Sequence, residues 1–416
     1  MKDRDTCQKV IVFLCIAVVV CICWLSRVYG EAGVEINETN FPDPGFREIV
    51  DEYDQDGDGF LNEDEITEVD SMDIIDTDVK NMKGIKFFTS LKDLECINND
   101  ALEELDMSGC LTLTNLKCRE NANLEKLDIS RCVALKELDC DYNFYLTTLD
   151  ASECIALKNL NLPFGILTSL DVRGCTALEN LDCRFNELTS LDVSGCSALE
   201  NLKCCNNELI TLDVRVCKEL ITLDCSENNK MKELFAGELT KLEYLLCDKN
   251  TELTLLDING CTSLRTLYCN DNNLKELKLQ GCTSLEELIC SGNKLTALDI
   301  SICASLYRLD CHANQLAVLT IGDNTELRDL NCEENSLTEL NTSACQSLSE
   351  LNCRHNKLTY LNLGACNYLH YAYCSNNNLV ELTLSDGDEL SGLDCSNNQL
   401  THLNLDKCIY LWYVDC

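Results

Sequence analysis

Twelve residues, Asp54 to Glu65 (DQDGDGFLNEDE), have the types and spacing to hold a divalent cation. Asp54, Asp56 and Asp58 supply carboxylates at the first, third and fifth places of a winding loop. Phe60 supplies a backbone carbonyl, Asn62 a side-chain oxygen or a bridging water, and Glu65 two carboxylate oxygens that close the shell. Gly59 permits the sharp turn between them. An all-oxygen set of this kind selects Ca²⁺, whereas a vestigial acidic loop would keep the charge without the spacing.

The loop needs a helix on each side. Phe46, Ile49, Val50 and Tyr53 form an apolar stripe at helical spacing before it, and Glu63, Asp64 and Glu65 suit the first turn of a helix after it. Residues 46–72 therefore read as one EF-hand-like segment, with a linker at 31–45 on its N-terminal side. Sensors pair two such loops and this sequence holds one, so the expected role of the ion is structural, in a cap. Val79 to Leu94 (VKNMKGIKFFTSLKDL) reads as a degenerate first unit of a repeat array.

Thiols are the other abundant reactive group, with 32 cysteines in 416 residues. One series begins Cys96, Cys118, Cys140, skips to Cys183 with Leu162 in the gap, and continues every 21 or 22 residues to Cys416. A second runs Cys110, Cys132, Cys154 and on to Cys408, with Leu239, Asn324 and Gly387 at its lapses. Three residues after each first-series cysteine from Cys96 to Cys395 stands an asparagine, as in Asn99, Asn121, Asn143 and Asn186. The full period is L-x-x-L-x-C-x-x-N followed by L-x-x-L-D-V-S-x-C, for example LENLDCRFN and then LTSLDVSGC at 178–196. Both halves fit the leucine-rich pattern.

That period sets the architecture. A coil split into halves of ten or eleven residues has no room for a full helix, so the solenoid at 73–416 should be β-rich and narrow, an arc of about 15–16 coils with parallel strands. At about 4.8 Å per coil the array would be roughly 75 Å long. Leu and Cys of L-x-C point inward, and the amide of the following Asn serves the turn. Strands about 4.8 Å apart hold successive cysteines side by side, whereas a disulfide needs Cβ atoms about 3.8 Å apart and facing each other. Buried, reduced thiols are expected, with Cys205 outward and reactive. No C-x-x-C pair is present, and a straight ladder cannot wrap a tetrahedral zinc.

Net charge is −38, and no basic patch interrupts it, which argues against nucleic-acid binding. Lys2, Arg4 and Lys9 precede an apolar run from Val10 to Leu25, so residues 1–30 read as an export signal cleaved before Glu31 or as an uncleaved anchor. Membrane association is expected only in the second case. His312, His355, His370 and His402 fall in different coils without a matched nucleophile, and there is no glycine-rich phosphate loop, so no enzyme is expected.

These units resemble the internalin group of Gram-positive surface proteins, and within it the 21-residue, cysteine-ladder subclass. The resemblance spans residues 41–416. It implies a secreted or cell-surface scaffold for recognising a protein or glycan surface ligand, with the ligand set by surface residues rather than by the scaffold. No L-P-x-T-G sorting motif accompanies it.

Binding residues should appear where the repeat breaks its rule. Outward places on the cysteine-bearing strands are mostly Asp, Asn, Lys, Thr or Ser, but successive coils carry Tyr244, Leu246, Tyr268 and Ile289, with Phe235 replacing an Asp nearby. These five are the candidate ligand site. Asp106, Asp128, Asp150, Asp171, Asp192 and Asp213 form a row that is either a consensus turn position or a cation site. Tyr360, Tyr368, Tyr371, Tyr373, Tyr410, Trp412 and Tyr413 cluster near the C-terminus. An alternative function is assembly through the solenoid ends.

Overall fold

A computed structural model describes residues 33–386 and 389–416. The export segment at 1–30 and Gly387 lie outside them. Strand β1 (Val34–Glu35) pairs antiparallel with β2 (Phe60–Leu61), bringing Val34 opposite Leu61. Helix α1 (Pro44–Asp51) starts where Asp43 accepts the Phe46 N–H and Pro44 occupies a position that needs no donor. Helix α2 (Glu63–Glu68) is opened by a reciprocal capping box between Asn62 and Glu65.

The stretch read as a linker is part of this cap. Phe41 is fully buried and packs edge-on against Phe46 and Phe87, with centroids 6.1 and 5.6 Å away. Asp43 accepts the Lys80 N–H at 2.9 Å, fastening α1 to the first coil. Pro42, Pro44 and Gly45 gave the stretch a loop-like composition, but here they bring the chain into α1. The first coil also starts earlier than expected, with strand Ser71–Ile75 in parallel register with Asp93–Ile97.

From there one parallel sheet of 17 strands runs to Tyr413–Asp415. Register is kept leucine on leucine, as in Leu160 opposite Leu181 and Leu202 opposite Leu223. The pairings run from one coil to the next, and none joins the two terminal strands, so the sheet is open. The second half-coil gives only short sheets, of two or three strands. Among the described residues the solenoid's one helical turn is Ile85–Phe87.

Side chains alternate as the pattern requires: Leu181 and Cys183 are buried, while Asn180 and Asp182, which alternate with them, are partly exposed. Nearly every turn is held by the ladder asparagine. Asn186 donates to the carbonyls of Leu162 (2.8 Å) and Cys183 (3.1 Å) and accepts the Leu167 N–H at 2.9 Å. One amide thus serves its own coil and the coil before it.

Candidate functional site

The acidic loop has converged. One carboxylate oxygen from each of Asp54, Asp56 and Asp58 lies within 4.8 Å of the others. Gly57 and Gly59 take φ of +70° and +85°, which lets the loop wind so tightly. Asp54 accepts the N–H groups of Gly57 and Gly59, each at 2.8 Å, and the Gly59 bond leads the causes that hold its carboxyl below the usual 3.8. Asp56 is pushed above it, first by desolvation and then chiefly by the Asp58 charge. The buried Glu65 carboxylate accepts the Gln55 and Asn62 N–H groups at 2.8 and 2.9 Å. The donor set is all oxygen and mutually repelling, which fits a hard divalent ion.

The candidate ligand residues divide. Leu246, Tyr268 and Ile289 stand opposite one another on three adjacent strands of the long sheet. Tyr244, on the first of these, is 44% exposed, whereas the other three are half-buried. The Tyr268 hydroxyl donates to Glu287 at 2.9 Å. Phe235 is not with them. It lies on Glu233–Phe235, a strand of the other half-coil between Asp213 and Asp257, with the Arg215 guanidinium 5.0 Å from its ring centre. Proximity in sequence misled here because successive half-coils face different sides.

Both cysteine series line the interior, and the described cysteines are free thiols, almost all buried. The second series has a polar role too. Cys132, Cys175 and Cys261 donate S–H to the carbonyls of Met107, Ala151 and Ala236 in the preceding coil, at 3.1 to 3.2 Å. Where the series lapses, Asn324 donates instead to Cys303 and Leu306, both at 3.1 Å.

The comparisons agree with this ladder. A family described as "Leucine Rich repeats (2 copies)" matches residues 262–302. Among solved structures, the chain is similar to the functional domain of InlJ from Listeria monocytogenes, described as including a cysteine ladder. The identity is 30% and the TM-score 0.57, over 88% of this chain and 77% of that one. The chain belongs to the cysteine-ladder internalins. A structure of the LRIM1/APL1C complex matches with 19% identity and a TM-score of 0.59, over 79% of this chain and 61% of that one, and shares the fold alone. None of the curated proteins matches.

In this internalin the aspartate row is turn chemistry. Asp106, Asp128, Asp150 and Asp192 each accept the N–H of the serine two residues on, at 2.9 to 3.0 Å. Asp171 and Asp213 do the same with Arg173 and Arg215, whose guanidinium groups also close on the carboxylates. Those partners hold the Asp171 and Asp213 carboxyls below the usual range.

Cys205 is buried, contrary to the expectation of an outward, reactive thiol. It is 7% exposed, and burial followed by the Asp224 charge pushes its thiol up to about 12. Strand Asn201–Lys203 ends before it, so the in-out alternation no longer applies. The histidines are scattered: His312 sits 2.7 Å from Asp310, and His370 contacts the Tyr368 carbonyl at 2.8 Å.

Near the C-terminus the Tyr371 and Tyr373 rings are parallel within 6°. Arg354 lies 4.3 Å over Tyr373 and binds the buried Asp394 at 2.8 Å. Tyr360, Tyr368, Tyr410, Trp412 and Tyr413 are exposed.

One surface went unread in the sequence. Tyr142, Phe164 and Phe185 stack across three coils, with ring centres 5.1 and 4.8 Å apart and planes within 5° and 14°. Phe144 and Tyr145 stand exposed beside them. Their signal was an aromatic recurring two residues after the ladder position, in a column otherwise filled by Asn, Asp, Glu, Lys, Ala, His or Gly.

Proposed function

We propose that this internalin is a non-enzymatic extracellular binding or adhesion protein, secreted or held at the cell surface. It recognises a protein or glycan surface ligand through the outer face of its long sheet. The observation that carries this reading is the row Leu246, Tyr268 and Ile289 beside exposed Tyr244, an apolar stretch bounded by the polar outward residues Thr222 and Asp224 on one side and Arg308 and Asp310 on the other. Aromatic side chains in such a setting lose little rotamer freedom on binding and bury large areas. In the same reading Ca²⁺ is held by Asp54, Asp56, Asp58, the Phe60 carbonyl, Asn62 and Glu65, and it stiffens the cap rather than signalling. No described helix is long and apolar enough to cross a membrane.

The test is an array of surface glycoproteins, glycans and bacterial wall polymers probed with the wild-type chain and with Tyr244→Ala/Tyr268→Ala. Truncating two aromatic anchors should weaken capture of the bound ligand by at least about tenfold. Unchanged capture removes this face as the site.

A further inference from the structure

Tyr142, Phe164 and Phe185 all occupy left-handed backbone, with φ of +55°, +57° and +55°. The same place in other coils is taken by Asn98, Asn206, Asn376 and Asn397, which enter this region at low cost, and by Glu120, Glu227, Lys249 and Glu334, which like the aromatics do not. Only the coils of Tyr142, Phe164 and Phe185 place a Tyr or Phe ring there, and they do so in succession. The fold does not need the rings for its core: Tyr142 and Phe185 are each 41% exposed, and Phe144 and Tyr145 are exposed further.

The irregularity is centred on one coil. Leu162 replaces the ladder cysteine there, Pro163 is buried, and Gly165 replaces the ladder asparagine at a place where a Cβ would come within 2.8 Å of the Asn186 amide oxygen. On either side Asp141 Oδ1 has no hydrogen bond, and Arg119 Nε and Arg184 Nε meet only the carboxylates of Asp139 and Asp182, at 3.6 and 3.2 Å. On the same coils the long sheet bears a row of amides, Asn201 donating to Asn180 at 2.8 Å and Asn180 to Asn159 at 2.7 Å. This row lines a cavity of about 360 Å³.

We propose that the Tyr142–Phe164–Phe185 ridge docks a protein segment that presents an apolar side chain flanked by lysine or arginine. The inference rests on the binding-protein reading and supplies a second contact surface for it. A sugar platform is disfavoured because mutual stacking takes up both faces of Phe164 and one face each of Tyr142 and Phe185, and Phe144 packs edge-on to Tyr142. Along the ridge the rings present their edges, which pack against aliphatic groups and against the faces of other aromatic rings. Exposed Glu120, in the same column one coil before Tyr142, and exposed Glu187, two residues after Phe185, bracket the ridge with negative charge, which selects a cationic rim on the partner.

The experiment compares the full chain with its Tyr142→Asn/Phe164→Asn/Phe185→Asn variant, titrated calorimetrically with three synthetic heptapeptides and with chitohexaose. The peptides are Lys-Leu-Lys-Trp-Lys-Leu-Lys, its all-Glu counterpart with the same apolar residues, and heptalysine. The first should bind the wild type and bind the variant at least about tenfold more weakly, while the melting temperature of the variant stays level or rises because asparagine accepts the backbone. Four results overturn the proposal: no binding of the first peptide to the wild type, equal affinity of that peptide for both chains, heptalysine binding as well as the first peptide, or ridge-dependent binding of chitohexaose. A melting temperature lowered by more than about 5 °C in the variant overturns it too, by showing the ridge to be a structural brace. Capture of a surface ligand that survives in this variant but is lost in Tyr244→Ala/Tyr268→Ala removes the ridge and leaves the binding-protein reading intact.

Discussion

At the scale of single residues, the asparagines and cysteines do different work in the same interior. Asn207 donates to the carbonyls of Cys183 and Cys204 and accepts the Leu188 N–H, so Asn207→Ala strips partners from buried groups in two coils. The expected loss is about 3 kcal/mol, read as faster amide hydrogen exchange in strands Asn180–Asp182 and Asn201–Lys203. Unchanged exchange there would mean that water replaces the amide. The thiols should stay inert: native alkylation at pH 8 should label exposed Cys416 first and half-buried Cys110 next, and leave Cys205 unmodified, as peptide mass spectrometry would show. The ladder and its asparagines were legible because both are periodic. The burial of Cys205 was not, since it depends on where a three-residue strand stops. The S–H bonds to the preceding coil were equally hidden, because sequence spacing marks a small buried residue without showing that its sulfur reaches a carbonyl.

Among the elements, the cap is where the acidic loop, helix and solenoid meet. Phe41, Phe46, Phe87 and Phe88 make one core with the first coil, so order in the loop should be felt in strand Ser71–Ile75. Adding EDTA to the Ca²⁺-loaded chain should lower protection in that strand and leave the distant coils unchanged, and Glu65→Gln should mimic it. The pH dependence has a definite sign. Asp56 is raised in the fold, so its contribution to the ion-free loop declines as pH rises from its unfolded value of 3.8 through its folded value. Asp171, Asp192 and Asp213 are lowered, so their contribution is present above 3.8 and disappears as pH falls through their folded values. The difference in cap melting with and without Ca²⁺ should therefore widen as pH is raised through the range in which Asp56 loses its proton. A pH-independent difference would show that the loop carboxylates do not hold the ion. The loop itself could be read from spacing alone. The role of Phe41 could not, because proline and glycine beside it suggest a connector until the core that receives the ring is known.

For the whole molecule, the linear array makes local defects matter. The coil at 159–179 lacks both the ladder cysteine and the ladder asparagine, so the seam between it and strand Glu137–Asp139 should show the fastest hydrogen exchange of the long sheet away from its ends. Uniform exchange would show that the stacked rings compensate. Coil number and strand direction were readable from the period, whereas the separation of Phe235 from Tyr244 required knowing which half-coil faces which side. The ladder also adjusts to coil length. Where the next inward leucine stands three places after the asparagine, as Leu124 does after Asn121, the following coil's amide oxygen takes the Asn121 N–H at 3.1 Å. Where it stands two places after, as Leu188 does after Asn186, that oxygen takes the leucine N–H instead, at 3.0 Å. Units of 22 and 21 residues are thus interchangeable parts: recombination between coils of unequal length can lengthen or shorten the gene product by whole turns and still leave every junction closed.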